Sequence, residues 1–375
     1  MKHLRILFYF SYFTFHISHF ATAQDLPTTP TTQTIRGKVT DKEAKATIPG
    51  VSVAVYKDSV LITGTSTDEK GNFRLTEIPI GRRTIKFSFI GYEPLILHNI
   101  EVTSGKEVIL NMEMEEAAVA MQEVVITANR KDQPLNEMTS VSARTFTVEE
   151  ANRYAGSRGE VSRMSSNYAG VQGSDDSRND IVIRGNSPMG LLWRLEGIDI
   201  PNPNHFAIAG STGGPVSILN NKVVANSDFL TAAFPAEYGN SIAGVFDLKF
   251  RNGNNEKHEH TGQFGFLGTE ITTEGPISKS KGSSYLIAYR YSTLQLFNAL
   301  NIDIGTTAIP NYQDISFKFN FPMKDGSNLA FFGVGGKSKI DILKSNLTEP
   351  QREIYGKQDR DQRFGTSMGT TGLSY

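Results

Sequence analysis

Two histidines, a glycine pair and an acidic loop are the residues whose types and spacing could support chemistry in this chain. His258 and His260 lie two positions apart, hence on one face of an extended strand, and could hold a metal, but no third ligand is indicated. Residues 335–338, GGKS, end like a phosphate-binding loop, yet Phe331 stands where that loop needs its first glycine. Residues 174–180, SDDSRND, lack the spaced oxygen ligands and fixed glycine of a calcium loop. We therefore predict no metal site, no cofactor and no catalytic residues.

Composition narrows the function classes further. The 375 residues include 38 basic and 39 acidic side chains, for a net charge of −1 and a pI near 6.7. That balance argues against a nucleic-acid-binding surface, which would be strongly basic. The chain has no cysteine, so it has neither a disulfide framework nor a cysteine-based zinc site. Its 34 glycines and 23 phenylalanines, in short alternating runs, predict a mainly β protein with many turns.

The first 23 residues have the pattern of a secretory signal peptide. A basic start, MKHLR, precedes an apolar stretch, and Ala21 and Ala23 form a small-residue cleavage site. We expect the mature chain to begin near Gln24 and to lie beyond the inner membrane. No later segment has 18 consecutive apolar residues, so any membrane insertion would be by strands.

A compact β unit is predicted after a Pro/Thr linker at residues 24–33. Residues 34–115 contain short strand-like runs separated by turn signals, which predicts a small β-sandwich. The runs GKVTD, PGVSVAV, GTSTDEKGNFRL and FIGYEP resemble the carboxypeptidase regulatory-like domain, a transthyretin-like sandwich. The name of that family refers to carboxypeptidases, but no zinc ligands or catalytic acid stand here at a recognisable spacing, so we predict that the protein is not an enzyme.

The sequence pattern changes twice after the predicted sandwich. Residues 116–145 form a connector, and residues 146–250 mix one short helical stretch with strands and Gly/Asn/Pro loops. In residues 256–375 apolar and polar side chains alternate, as in ISFKFNF at 315–321. In a soluble sandwich the two faces would be core and water, and in an outer-membrane barrel lipid and lumen.

The middle region carries the most specific motif. NDIVIRGNSPMGLLWRLEGIDIPNPNHF, at 179–206, closely resembles the plug domain of TonB-dependent outer-membrane receptors. The positions that match the family motif are Arg184, Gly185, Glu196, Gly197, Asp199, Tyr238, Gly239 and Gly244. The usual double glycine is Ala243–Gly244 in this chain. The resemblance implies that 146–250 is a plug and that 256–375 begins a transmembrane β-barrel. A plug-holding barrel needs ~22 strands of ~10 residues, so we expect the chain to be the N-terminal part of a longer protein.

Two sets of plug residues have open interpretations. The four motif glycines are expected at tight turns and close backbone approaches. Arg184 and Glu196, with Asp180 as a rival partner, could form a breakable latch between plug and barrel wall, or a solvated salt bridge of little energy. The loop residues Asn202, Asn204, His205 and Phe206 are candidate ligand contacts, although their Asn-Pro pattern could simply rigidify a turn.

The run EVVITA has no obvious partner strand nearby. It comprises Glu123, Val124, Val125, Ile126, Thr127 and Ala128. The resemblance identifies it as a TonB box, a segment held unpaired until TonB supplies a sheet edge. From composition alone it could equally be an edge strand of the sandwich.

The resemblance implies a receptor in the cell outer membrane that takes up a scarce solute, with a siderophore, glycan or peptide as candidate classes. The expected partners are TonB with ExbB and ExbD, outer-membrane lipid, the solute and, optionally, a lipoprotein lid. The N-terminal sandwich is expected in the periplasm. The alternative is a secreted or surface-attached β-sandwich that acts as an adhesion module.

Overall fold

A computed structural model of the chain describes residues 31–57, 59–117, 143–146, 154, 156–174, 176–208, 210–265, 268–295, 300, 310–342 and 361–375. The chain divides into two compact units, residues 1–119 and residues 120–375. Both units are mainly β, which confirms the predicted fold class.

The first unit is a sandwich of two sheets. Its strands are β1 (Thr32–Asp41), β2 (Ser52–Lys57), β3 (Val60–Ser66), β4 (Asn72–Pro79), β5 (Gly81–Ser88), β6 (Leu95–Val102) and β7 (Val108–Met114). One sheet has the order β4-β1-β7 and the other has the order β3-β2-β5-β6. Alternate residues of both sheets point inward and form one apolar core, as expected for a small sandwich.

The first and last strands of the sandwich in chain order form a parallel pair. β1 and β7 pair over seven consecutive positions, from Ile35↔Val108 to Asp41↔Met114. Gly37 lies opposite Leu110 in this ladder, and a Cβ at Gly37 would stand 1.7 Å from the Leu110 carbonyl oxygen. Glycine is therefore required where the two backbones approach.

The second unit begins with a mixed region. Its elements are β8 (Ala143–Phe146), α1 (Val161–Ser165), β9 (Val171–Gly173), β10 (Ile181–Ile183), a 3-10 turn (Pro188–Gly190), β11 (Leu191–Leu195), β12 (Ile198–Ile200), β13 (Asn204–His205), β14 (Val216–Ser217), β15 (Ser227–Leu230) and β16 (Gly244–Leu248). The main sheet has the order β12-β11-β16-β15-β8, and β9–β10 and β13–β14 form small separate pairs. In the predicted helical stretch, the helix covers residues 161–165, residues 154 and 156–160 are not helical, and residues 148–153 and 155 lie outside the described residues.

Four aromatic rings hold the main sheet together. Phe246 lies opposite both Trp193 and Phe229 on the neighbouring strands, with ring centroids 4.5 Å and 4.4 Å away. Phe146 of the edge strand β8 meets the same ring edge-on at 6.3 Å. This row ties four of the five strands to one buried core.

The second unit ends in an antiparallel sheet whose strands follow one another in chain order. They are β17 (Glu259–Phe264), β18 (Thr269–Ser278), β19 (Ser283–Tyr291), β20 (Asn311–Pro322), β21 (Asn328–Ile342) and β22 (Gln362–Ser374). Among the described residues, this sheet therefore has six strands. The inner face of this sheet packs on the core of the mixed region through Leu286, Ala288, Phe332 and Val334.

The six-stranded sheet presents an apolar outward face and, on β20, a polar buried face, the inverse of a strand in a soluble sandwich. On β20 the polar residues Ser316, Lys318 and Asn320 are buried, whereas Ile315 is 42% and Phe321 37% exposed. The same apolar face carries exposed Ile271 and Phe331 on β18 and β21. The alternation predicted from ISFKFNF is therefore present, with the apolar side chains outward.

Candidate functional site

The R-G and E-G motifs form the same kind of turn. Arg184 and Gly185 have φ angles of 51° and 79°, and Glu196 and Gly197 have φ angles of 49° and 83°. Two successive positive φ angles between antiparallel residues are the mark of a type I′ two-residue turn. The first turn closes the bridge Ile183↔Asn186, and the second joins β11 to β12. The glycine is needed at each second position because it adopts positive φ at little cost.

Glu196 faces a partner that the sequence did not indicate. Its Oε1 accepts a hydrogen bond from Lys318 Nζ at 2.7 Å and another from the backbone N–H of Phe250 at 2.7 Å. Lys318 Nζ also donates to the Phe250 carbonyl at 2.8 Å. The side chains of Lys318 and Glu196 are 9% and 10% exposed. Lys318 lies on β20, so this buried ion pair joins the main sheet to the six-stranded sheet.

The pairing expected among Arg184, Glu196 and Asp180 is corrected accordingly. Glu196 binds Lys318, and Asp180 binds Arg178 at 2.7 Å. Asp180 also accepts the Gly213 N–H at 2.9 Å, which fixes the loop before β14. Arg184 takes part in other contacts, and its side chain lies beside Gly170. Asp199 is exposed on β12, opposite Arg194.

The second part of the plug-like motif, Tyr238 to Gly244, packs against and leads into the main sheet. Tyr238 is buried, and its hydroxyl donates to Asp247 at 2.7 Å on β16. Burial raises the pKa of Asp247, whereas this hydrogen bond and the nearby Arg194 act in the opposite direction. Gly244 starts β16, where a Cβ would lie 2.3 Å from Ile183 Cδ1 and 3.0 Å from the Leu230 carbonyl oxygen. A Cβ at Gly239, by contrast, would meet nothing within 4 Å.

These two glycines give a matched pair of substitutions. Gly244→Ala should lower the free energy of unfolding by about 1–3 kcal/mol, because the methyl group overpacks a closed site. Gly239→Ala should change it by less than about 0.5 kcal/mol, because the added methyl group meets open space. Denaturant unfolding of the two purified variants and the parent measures both values. Equal losses from both would contradict the close approach at Gly244.

The candidate ligand contacts are not on an exposed loop. Asn204, His205 and Phe206 are buried, and Asn202 is half-buried. Asn204 accepts from Asn179 Nδ2 at 2.7 Å and donates to Asn202 Oδ1 at 2.7 Å, so these amides satisfy each other. The expectation that the Asn-Pro loop displays these groups to a solute is corrected, since a local amide network and the six-stranded sheet cover three of the four.

The predicted TonB box, Glu123 to Ala128, lies outside the described residues. The described elements on either side are β7 in the sandwich, which ends at Met114, and β8 in the main sheet, which begins at Ala143. Beyond β7, the N–H of Ala117 donates to the Gly91 carbonyl at 2.8 Å. β8 is an edge strand held by four residue pairs with β15 and by a 2.6 Å hydrogen bond from Thr145 Oγ1 to Asp228.

The rejected metal and phosphate motifs have structural roles. His258 Nδ1 lies 3.0 Å from the Tyr285 hydroxyl, and His260 Nδ1 lies 2.8 Å from Thr273 Oγ1. The residues of the GGKS run belong to strand β21. Among the described residues, no group of three His, Asp or Glu side chains is placed to hold a metal ion. Within the same residues, no helix is long and apolar enough to cross a membrane.

Comparison with known proteins gives a family match and several relatives. Residues 35–126 match the CarboxypepD_reg-like domain family, a range that includes the first four residues of the predicted TonB box. The chain is 24% identical over 230 residues to the TonB-dependent transporter Oar of Myxococcus xanthus, covering 60% of this chain and 21% of Oar. The chain thus spans about a fifth of the length of this curated relative.

Two outer-membrane proteins are among the similar solved structures. The outer membrane transporter YddB from Escherichia coli has 15% identity and a TM-score of 0.41, covering 62% of this chain and 36% of YddB. The ferric enterobactin receptor PfeA has 15% identity and a TM-score of 0.37, covering 54% of this chain and 34% of PfeA. The chain is thus similar in sequence to one TonB-dependent transporter, and its residues 35–126 match the CarboxypepD_reg-like domain family.

Proposed function

We propose that this protein is a TonB-energised transporter of the outer membrane that carries a scarce solute into the periplasm. Residues 146–250 act as the plug and residues 256–375 contribute strands of the barrel wall. The relatives are described as transporters or receptors, which supports this class of function. The solute class, whether siderophore, glycan or peptide, would be set by residues that contact it at the outer face.

The single observation that carries the proposal is the inverted polarity of the six-stranded sheet. A sheet in water buries its apolar face, because removing apolar surface from water drives folding. Here β18–β21 present apolar side chains outward, and the buried face carries the charged residues Lys318, Asp314 and Glu274 beside the apolar residues that pack on the mixed region. The outward face also holds an aromatic cluster of Phe317, Phe319 and Phe331, with centroids 5.3–6.3 Å apart. Lipid is the solvent that favours this arrangement.

The position of the predicted TonB box supports the energy coupling. The outer membrane has no ATP, so work has to arrive mechanically through TonB with its partners ExbB and ExbD. A pull on residues 123–128 reaches β8 first among the described elements of the plug. β8 pairs with β15 at four positions along the edge of the main sheet, so the first three pairs, from Ala143 to Thr145, can open one at a time before Phe146 has to leave the buried core. The sandwich would lie in the periplasm as a spacer or docking module, and a lipoprotein lid is compatible with this scheme.

Cysteine labelling tests the membrane placement, and the absence of native cysteine makes it specific. Ile315→Cys places a thiol in the middle of the outward face of β20, and Lys324→Cys places one in the exposed turn between β20 and β21. In outer-membrane fragments, a polar maleimide should label position 324 at least about tenfold faster than position 315, because lipid shields the latter. Both should label after unfolding in urea. Equal labelling in intact fragments would favour the adhesion alternative and overturn the proposal.

A further inference from the structure

His205 is a buried imidazole at the contact between the β13–β14 pair and the six-stranded sheet. Its side chain is 0% exposed, and its Nε2 lies 2.9 Å from Asp314 Oδ2 on β20. The ring of Tyr312, also on β20, lies 4.8 Å away between centroids. The imidazole is thus enclosed by the sheet on which it docks.

The six-stranded sheet is shaped to receive this side chain. A Cβ at Gly336 on β21 would stand 2.7 Å from His205 Cε1, so only glycine leaves room for the ring. Next to it, the N–H of Phe206 donates to Ser338 Oγ on β21 at 3.0 Å. We call this enclosure, formed by Tyr312, Asp314, Gly336 and Ser338, the histidine socket.

Arg290 on β19 links β14, the second strand of the β13–β14 pair, to the histidine socket. Its guanidinium binds the Asp314 carboxylate at 2.8–2.9 Å and donates to the carbonyl of Ser217 on β14. One oxygen of the Asp314 carboxylate, Oδ2, therefore contacts both His205 on β13 and Arg290 on β19. Both strands of the β13–β14 pair thus contact the Arg290–Asp314 ion pair, β13 through His205 and β14 through the Ser217 carbonyl.

The socket fits the neutral imidazole better than the protonated one. Asp314 accepts hydrogen bonds, so Nε2 of His205 carries the proton that it shares with that carboxylate. Among the described atoms, Nδ1 of His205 is buried and has no hydrogen-bond partner. A second proton would place an unsatisfied N–H at Nδ1 and a positive charge beside Arg290. The other ionisable groups facing the ring are Asp314 and Tyr312, and β21 contributes only Gly336 and Ser338.

We propose that the β13–β14 pair and the histidine socket form a proton-sensitive latch, in which uptake of one proton by His205 releases the pair from β19–β21. Burial lowers the pKa of His205 from 6.5, the nearby Asp314 opposes this effect, and Arg290 adds to it. The closed latch therefore binds fewer protons than the open one. Its stability is complete above pH 6.5 and falls as the pH drops from 6.5 towards the lowered pKa of the closed state.

Hydrogen exchange in the purified protein tests the latch without TonB or any solute. The reporter is the amide of Phe206, which bonds across the contact to Ser338 on β21. After correction for the intrinsic pH dependence of exchange, the opening equilibrium should rise below pH 6.5 by up to about tenfold per pH unit, the limit for one proton. In His205→Gln, which keeps a donor for Asp314 but does not titrate, the opening should be independent of pH.

His260→Gln is the matched control, since His260 is exposed and contacts Thr273 outside the socket. It should keep the full pH dependence. A second measurement, the NMR titration of the His205 imidazole in the parent protein, should give a pKa below 6.5. Unchanged pH dependence in His205→Gln, or a pKa at or above 6.5, would overturn the proposal. The outcome does not depend on whether the protein transports a solute.

Discussion

Val125→Pro is expected to abolish TonB-energised uptake while the protein still folds and reaches the outer membrane. Val125 lies in the middle of the predicted TonB box, where pairing with a partner strand requires main-chain N–H donors. Proline removes one donor and its ring prevents close pairing at that position. One net hydrogen bond is worth about 1 kcal/mol, and the added clash should bring the loss of TonB affinity to at least about tenfold. Calorimetric titration of the purified receptor with the periplasmic part of TonB measures this change.

Asp132→Pro is the control for this experiment. It introduces the same residue type into the same connector, four positions beyond Ala128. TonB should bind this variant as it binds the parent protein, and uptake in cells should be retained. If TonB bound Val125→Pro with unchanged affinity, residues 123–128 would not be the pairing segment. The edge-strand interpretation of EVVITA would then be favoured.

Local structure in the mixed region was predictable because it is encoded by neighbouring residues. The R-G and E-G pairs each require positive φ angles between two strands, and glycine supplies the second of them at little steric cost. The apolar runs within IVIRG, LLWRLEGIDI and VFDLKF form β10, the β11–β12 hairpin and β16, as such runs indicate for strands. Gly244 also meets its expectation of a close approach, whereas Gly239 does not.

The partners of buried polar groups were not predictable from the sequence in the same way. Glu196 and Lys318 are 122 positions apart, and His205 and Asp314 are 109 apart. The Asn-Pro pattern around His205 has the composition of an exposed loop, and no local signal shows that a distant sheet covers it. The alternation on β20 was the one sequence signal for these polar groups, because it placed Lys318 and Asp314 on the same face of the strand. The sequence could not show which face is buried, since a soluble sheet has the same alternation.

Lys318→Met is expected to weaken the contact between the main sheet and the six-stranded sheet. The loss of contact free energy should be about 3–5 kcal/mol, since the change removes one partner of a buried ion pair. Glu196 would keep one hydrogen bond, from the Phe250 N–H, but its charge would be uncompensated. The Phe250 carbonyl would lose the Lys318 ammonium as well. The denaturant midpoint should fall, and the amides of β11, β12 and β16 should exchange faster with solvent.

The double variant Lys318→Met with Glu196→Gln separates the ion pair from the packing of the two side chains. A neutral amide at 196 can still accept from Phe250 N–H, and no buried charge is left alone. The double variant should therefore be more stable than Lys318→Met alone, with a coupling energy outside the scatter of about 0.5 kcal/mol seen for independent sites. Strict additivity would mean that Glu196 and Lys318 are solvated separately. An ion pair that an external pull must break needs this property. The contact is strong while both partners are in place, and its energy is lost once the two side chains separate.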